Sequence, residues 1–175
     1  MKLTLIIAVS VILGIALFIG IIALIGARLP REHVASRSLL LHKTQLQVYT
    51  VVRDVGSMPA WRADIKRVDL ETQSDGRLHF REDGKQGSVN YELVEDIPGQ
   101  RMITRIVDKD LGYSGKWTYV LASEDGATRL TITENGEVSN VLFRFMSRYV
   151  FGHTATLDSY LTSLAKHLGE SAAPY

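Results

Sequence analysis

Gly115-Lys116-Trp117-Thr118-Tyr119-Val120-Leu121, followed by the turn pair Asp125-Gly126 and then Arg129-Leu130-Thr131-Ile132, decides how this chain folds. Trp117, Tyr119 and Leu121 alternate with Lys116 and Thr118, and Leu130 and Ile132 alternate with Arg129 and Thr131. A period of two sends successive side chains to opposite faces of a strand, so the two runs predict an antiparallel hairpin with one apolar, aromatic face and one polar face.

The same period extends back to Ile65. Turn signals at Asp75-Gly76, Asp83-Gly84, Pro98-Gly99, Gly112 to Gly115 and Asp125-Gly126 cut Ile65 to Glu134 into six strands. Val89, Tyr91 and Leu93 alternate with Asn90 and Glu92. Met102, Thr104 and Ile106 join the apolar face because Arg105 falls in the opposite set, although Ile103 and Val107 blur that strand.

On the C-terminal side, Asn135-Gly136 reads as a turn and Ser139 or Asn140 as the N-cap of a long final helix. Leu142, Met146, Tyr149, His153, Leu157, Tyr160, Leu164 and Leu168 alternate by four and three. They trace a single stripe of about seven turns at about 3.6 residues each, bent at Gly152 and stopped at Gly169. On the N-terminal side, Val34 to His42 reads as an opening strand. Thr44-Gln45-Leu46-Gln47 has the form of a capping box, in which hydroxyl and amide each satisfy a free backbone N–H, and it predicts a helix carrying Val48, Val51, Val52 and Val55. Ser57 to Ala63 reads as a second short helix that tolerates Pro59 in its first turn.

Ahead of all this, Leu3 to Ala27 is a run of 25 residues without charge, in which Thr4 and Ser10 are the only polar side chains. At about 1.5 Å per residue it makes a helix of about 37 Å, enough to cross a hydrocarbon core of about 30 Å with some tilt. It exceeds the roughly 7 to 15 apolar residues of a cleaved signal peptide, and Ile25-Gly26-Ala27 makes a poor cleavage site. The expectation is a single-pass membrane anchor. Lys2 precedes the run while Arg28, Arg31 and Arg37 follow it, which predicts a cytoplasmic body. Pro30 ends the helix. Ala16, Gly20, Ala23 and Ala27 fall on one helical face where a homodimer partner could approach, although such residues are common in membrane helices. The divisions are thus a transmembrane helix at 3–27, a linker at 28–33, a folded domain at 34–169 and a tail at 170–175.

Lys2 is the only charge in residues 1–27, so the remaining 148 residues carry 19 Lys and Arg against 19 Asp and Glu. This balance, with both signs interspersed, argues against a nucleic-acid partner. The chain has no Cys, which excludes disulfides, thiolate metal sites and cysteine nucleophiles. His33, His42, His79, His153 and His167 have no metal-binding spacing, and no glycine-rich phosphate loop or nucleophile elbow is present, so no metal and no cofactor are expected.

The order strand, two short helices, six strands, long helix resembles the helix-grip fold of the SRPBCC superfamily, which groups START lipid-transfer domains, birch-pollen-allergen-like proteins and polyketide cyclase or dehydrase-like proteins. The likeness is carried by Val51-Val52-Arg53-Asp54, Met58-Pro59-Ala60-Trp61, Gly115 to Leu121, and Thr128 to Val138 leading into the last helix. Asp54 to Trp61 and Gly136-Glu137-Val138 look most like the polyketide-cyclase-like branch. The resemblance implies an α+β fold in which a seven-stranded antiparallel curved sheet wraps a long C-terminal helix, preceded here by one transmembrane helix. It also implies a hydrophobic pocket between sheet and helix.

The residues expected to line that pocket are Trp61, Tyr91, Met102, Ile106, Trp117, Tyr119, Leu130, Ile132, Met146, Tyr149 and His153. Tyr91, Trp117 and Tyr119 combine apolar rings with polar tips, as a mostly apolar cavity requires, yet a filled core has the same pattern. Trp61 could wall the pocket entrance but reads rather as simple packing. No catalytic residue is assigned. His153 is a weak candidate that could meet the Glu134 carboxylate as an acid–base pair, against the plainer reading of a hydrogen-bonded core histidine. Arg144, Arg148 and Lys166 read as a solvated helix face rather than a lipid-binding cluster. The functional expectation is a membrane-anchored binding protein for a hydrophobic small molecule. The alternatives are a cyclase, dehydratase or hydrolase on a polyketide-like substrate, using Tyr91, Tyr119 and His153, and a noncatalytic protein-interaction module.

Overall fold

The computed structural model describes residues 2–73, 76–85 and 87–175. α1 (Lys2–Arg28) is the apolar helix, ending just before Pro30. β1 (Glu32–Leu41) leads to α2 (Gln45–Arg53) and a 3₁₀ turn (Val55–Ala60), and then to β2 (Ile65–Thr72), β3 (Leu78–Gly84), β4 (Gly87–Ile97), β5 (Arg101–Ile106), β6 (Tyr113–Glu124) and β7 (Ala127–Val138). The chain closes with α3 (Val141–Met146), a π-helical turn (Ser147–Phe151) and α4 (Ala155–His167). The sheet order is β1-β7-β6-β5-β4-β3-β2, with every neighbouring pair antiparallel. This is the helix-grip arrangement.

Local chemistry accounts for the boundaries. The Thr44 hydroxyl accepts from the Gln47 N–H at 3.3 Å while the Gln47 side-chain oxygen accepts from the Thr44 N–H at 2.9 Å, which closes the capping box that starts α2. Asp125 and Gly126, at φ 47° and 82°, form the two-residue left-handed turn between β6 and β7. Of the other turn signals, Asp75 lies outside the described residues.

The inner face of the sheet carries Leu39, Leu41, Met102, Leu130 and Ile132, all fully buried beneath Leu157, Leu161 and Leu164 of α4 and Val48 and Val52 of α2. A register shift between Leu93 and Glu95 turns Asp96 inward at the rim. There it accepts from the Tyr49 hydroxyl and, at 2.6 Å, from Arg53, so α2 is fixed to the sheet. Burial pushes the Tyr49 hydroxyl up to about 12, and the adjacent Asp96 charge adds to the shift.

Two expectations are corrected. Asn135-Gly136 is not a turn: β7 continues through it to Val138, pairing Asn135 with Val34 and Gly136 with His33. Nor is the final helix continuous. Asn140 caps α3 by accepting from the Phe143 N–H at 3.0 Å, but the π-turn and Gly152, at φ 75° and ψ 156°, divide α3 from α4. α4 covers the sheet, whereas α3 packs against α1.

Candidate functional site

Tyr160 occupies the centre of the space between sheet and α4. It is fully buried, with Trp61, Trp117 and Tyr119 around it at ring-centroid separations of 5.3, 5.7 and 5.9 Å. The Trp61 and Trp117 rings meet it edge to face, the arrangement aromatic quadrupoles favour. The Arg62 guanidinium lies 5.3 Å from the Tyr160 ring centroid. Trp61 and Arg62 come from the end of the 3₁₀ turn, Trp117 and Tyr119 from alternate positions of β6, and Tyr160 from the sheet-facing side of α4.

A buried ion pair borders this cluster. Arg62 donates to Asp64 at 2.7 Å and lies 3.5 Å from both oxygens of Glu82, which β3 directs inward two residues after Phe80. Burial raises the Glu82 carboxyl above its usual range, with the Arg62 charge offsetting part of the rise. Burial disfavours the Arg62 charge, but Glu82 and Asp64 outweigh it and hold the guanidinium protonated. Burial also raises Tyr91, Tyr119 and Tyr160 well above the ordinary phenol value, so all three are hydrogen-bond donors at neutral pH rather than bases. Among the described residues two donors in this region make no well-formed hydrogen bond: the indole N–H of Trp61 and the hydroxyl of Tyr160, the latter interacting with the Tyr119 side chain beside it.

A second polar group lies at the end of the sheet nearest α1. Glu134 accepts from the Trp117 indole N–H at 3.1 Å and, with its other oxygen, meets His33 Nε2 at 3.3 Å. The His33 ring stacks on His153 at 4.3 Å, and His153 Nδ1 is 3.1 Å from the Ser147 hydroxyl. Burial, followed by the neighbouring His33 and Arg148, lowers the His153 pKa. The Glu134 carboxylate therefore pairs with His33, and His153 stands one ring further away.

Of the expected pocket residues, Trp61, Trp117 and Tyr119 converge on Tyr160. Met102, Leu130 and Ile132 floor the same space, and Tyr91 stacks on Phe80 at 5.1 Å. Ile106 lines a groove of about 380 Å³ at the end of the sheet, shared with Glu32, His33, Arg105, Lys116 and Gly136. Met146 and Tyr149 lie beyond the Gly152 break, and Tyr149 is exposed, with its ring 5.0 Å from Phe145. Tyr160, Arg62, Asp64, Glu82 and His33 were not among the residues expected at the site, although Tyr160 was placed on the apolar stripe of the final helix. Glu82 carried a usable signal, since it occupies the inward phase of β3. Among the described residues no group of His, Asp and Glu could hold a metal ion.

The family described as polyketide cyclase / dehydrase and lipid transport matches residues 41–169. No curated protein matches the chain in sequence. Among solved structures, the Zhui aromatase/cyclase from a Streptomyces species superposes with a TM-score of 0.66 at 11% identity, covering 79% of this chain and 94% of its own. Norcoclaurine synthase from Thalictrum flavum gives 0.62 at 10% identity, covering 79% and 87%. A START superfamily protein from Mycobacterium smegmatis gives 0.59 at 16% identity, covering 78% and 97%. The chain spans 52% of the di-domain aromatase/cyclase StfQ of the steffimycin biosynthetic pathway. At such identities these likenesses establish a shared fold.

Proposed function

The chain belongs to the polyketide cyclase / dehydrase and lipid transport family, and from that premise we propose that it is a binding protein for a hydrophobic small molecule, held to a bilayer by α1 with its body on the cytoplasmic side. The ligand is lipid-, isoprenoid- or polyketide-like and lodges between the sheet and α4, around Tyr160. The observation that carries this reading is the pair of donors without a well-formed hydrogen bond, Trp61 Nε1 and Tyr160 OH, in an aromatic interior bordered by the Arg62–Glu82 ion pair. Each such donor costs about 1–3 kcal/mol when left unmade, so an oxygen acceptor on an apolar ligand would recover that cost at both. Burial of the ligand's apolar surface, worth about 25 cal/mol per Å² before association costs, would supply the rest of the affinity. Trp61 and Trp117 are only half-buried, unlike Tyr119 and Tyr160, so a ligand would enter by displacing one of the two indoles.

Membrane attachment draws on the apolar length of α1 and on the arginines that follow it. The test is to purify the full chain in detergent, extract it with organic solvent and identify co-purifying molecules by mass spectrometry, alongside titration with an apolar fluorescent probe. A stoichiometric apolar molecule, displaced by the probe, is the expected result. An empty extract together with no probe binding would overturn the reading.

A second reading draws on the His33–Glu134 pair. An imidazole held against a carboxylate can relay a proton, the chemistry a cyclase or hydrolase needs. Because Tyr91 and Tyr119 stay protonated, their part would be to donate hydrogen bonds to a carbonyl. Turnover of a polyketide-like substrate that survives both His33→Gln and Glu134→Gln would eliminate this reading.

A further inference from the structure

We infer that α3 and the π-turn after it, Val141–Phe151, form a second membrane-contacting element that lies in the headgroup–acyl boundary of the bilayer crossed by α1. The inference rests on the membrane attachment proposed above and extends it to the folded body.

Two contacts set the position of this segment. Gly26, near the end of α1, is buried against it so closely that a Cβ would fall 2.0 Å from the Val141 carbonyl oxygen and 3.5 Å from the Phe145 Cβ. Arg144 secures the junction. Its guanidinium is buried and, among the described residues, donates to backbone carbonyls: Val138 at 3.0 Å, Ser139 at 3.1 Å, Gly26 at 3.1 Å and Leu29 at 3.0 Å. Gly26 lies in the last turn of α1, where its carbonyl also accepts from the Leu29 N–H at 3.3 Å, and Leu29 directly follows the helix, whose C-terminal end electrostatically favours a cation. α3 is thereby held at the level where the apolar run stops, beside the exposed Leu24 and Ile25.

The outward face at that level is apolar. Leu142 and Phe143 are each 40% exposed, Tyr149 is 60% and Val150 is 57%. At about 100° per residue, Leu142, Phe143 and Met146 fall within an arc of about 100° on α3, and Tyr149 and Val150 follow in the π-turn. Arg144, Ser147 and Arg148 occupy the other side. Within the folded domain Tyr113 meets this arc, its ring 5.7 Å from that of Phe143, while Leu142, Tyr149 and Val150 stay exposed. Arg28, Arg31 and Arg148 are exposed near the same junction, as suits phosphate headgroups. Amphipathic helices of this pattern settle about 5–10 Å into the boundary, with tyrosine at headgroup level.

The chain has no Cys, so single cysteines introduced at exposed positions report unambiguously. Full-length chain would be placed one copy per nanodisc of phosphatidylcholine and phosphatidylglycerol. An environment-sensitive fluorophore would be attached at Tyr149→Cys, Val150→Cys, Leu17→Cys within α1, or Ser123→Cys at the opposite end of β6. The labels at 149 and 150 should be shielded several-fold from an aqueous quencher relative to 123 and quenched by lipids labelled near the headgroup. Label 17 should be reached by lipids labelled deep in the acyl chain. Shielding at 17 but not at 149 and 150 would overturn this inference alone. Failure of shielding at 17 would overturn both it and the attachment it rests on. Shielding at 149 and 150 seen only when two copies share a disc would assign the face to a second copy and overturn the bilayer assignment.

Discussion

Gly136 lies directly opposite His33 across the β1–β7 ladder, and a Cβ at 136 would fall 2.3 Å from the imidazole Cε1 and 2.6 Å from Nε2. The glycine is therefore what allows His33 to lie flat over β7 and reach Glu134. Gly136→Ala should push the ring aside and break the His33–Glu134 contact, and the loss of stability should fall near the low end of about 1–3 kcal/mol because a side chain can yield. Gly115→Ala should cost more, since its Cβ would meet the Asn135 carbonyl oxygen at 2.8 Å and backbone cannot move aside so easily. Urea denaturation of both variants, with the His33 imidazole followed by NMR, checks the order.

The same glycine shows why part of the chain was not readable in advance. Asn-Gly is the strongest short hairpin signal, but here the glycine serves a close approach from a strand 100 residues away, which no local pattern records. The final helix misleads for a related reason. Leu142, Met146 and Tyr149 share a stripe with Leu157, Tyr160 and Leu164, although the first group lies beyond the Gly152 break and the second packs on the sheet. A hydrophobic stripe has the same period whatever apolar surface it meets, so a change of partner at Gly152 leaves no trace in it. The strands were legible because a period of two survives wherever one face is buried, and Thr44 and Gln47 announced α2 because capping is local chemistry. Trp61, Trp117 and Tyr119 were recognisable by type. Arg62 was not, since a charged residue in a loop ordinarily reads as solvated.

Arg62 and Glu82 predict an asymmetry in stability. Arg62→Met leaves the buried Glu82 without its cation and should cost about 3–5 kcal/mol at neutral pH. Burial already raises the Glu82 carboxyl, and without Arg62 it rises further, so the group destabilises the fold when ionised. The sign follows: the Arg62→Met deficit should shrink as the pH falls and Glu82 takes up a proton, and should grow as the pH rises through the raised value. Adding Glu82→Leu should restore most of the loss at all pH values. Denaturant titrations of the wild type and the two variants across pH decide it.

His153 predicts a separate acid response. Its folded-state pKa is lowered by burial, His33 and Arg148, so below its ordinary value of about 6.5 the unfolded chain binds more protons than the native one. Stability should therefore fall as the pH drops through that ordinary value towards the lowered one. The loss should be smaller in His153→Gln, which keeps a polar group near Ser147 but does not titrate. Thermal midpoints of the two proteins, compared from neutral pH down to about pH 5, provide the measurement. Identical slopes would mean that the His33–His153 stack makes no contribution to acid sensitivity.

Tyr160 offers the most direct test of what the interior is for. Its ring packs against Trp61, Trp117, Tyr119 and the Arg62 guanidinium, so Tyr160→Ala should cost about 3–5 kcal/mol through the cavity it leaves. Tyr160→Phe is different. It keeps the ring and deletes a buried hydroxyl that makes no well-formed hydrogen bond among the described residues, which relieves a desolvation cost, so the ligand-free protein should be as stable as the wild type or more stable by about 1 kcal/mol. If the hydroxyl is there to meet an oxygen of a bound molecule, the same substitution should weaken binding by about 0.5–1.5 kcal/mol, the ordinary net worth of one hydrogen bond. Stability and affinity would then move in opposite directions under one atom's deletion, a result that packing alone does not produce. Thermal unfolding of the lipid-stripped protein, paired with titration of the co-purified molecule, measures both. Unchanged affinity in Tyr160→Phe, alongside the expected stability, would remove this hydroxyl from any part in ligand recognition.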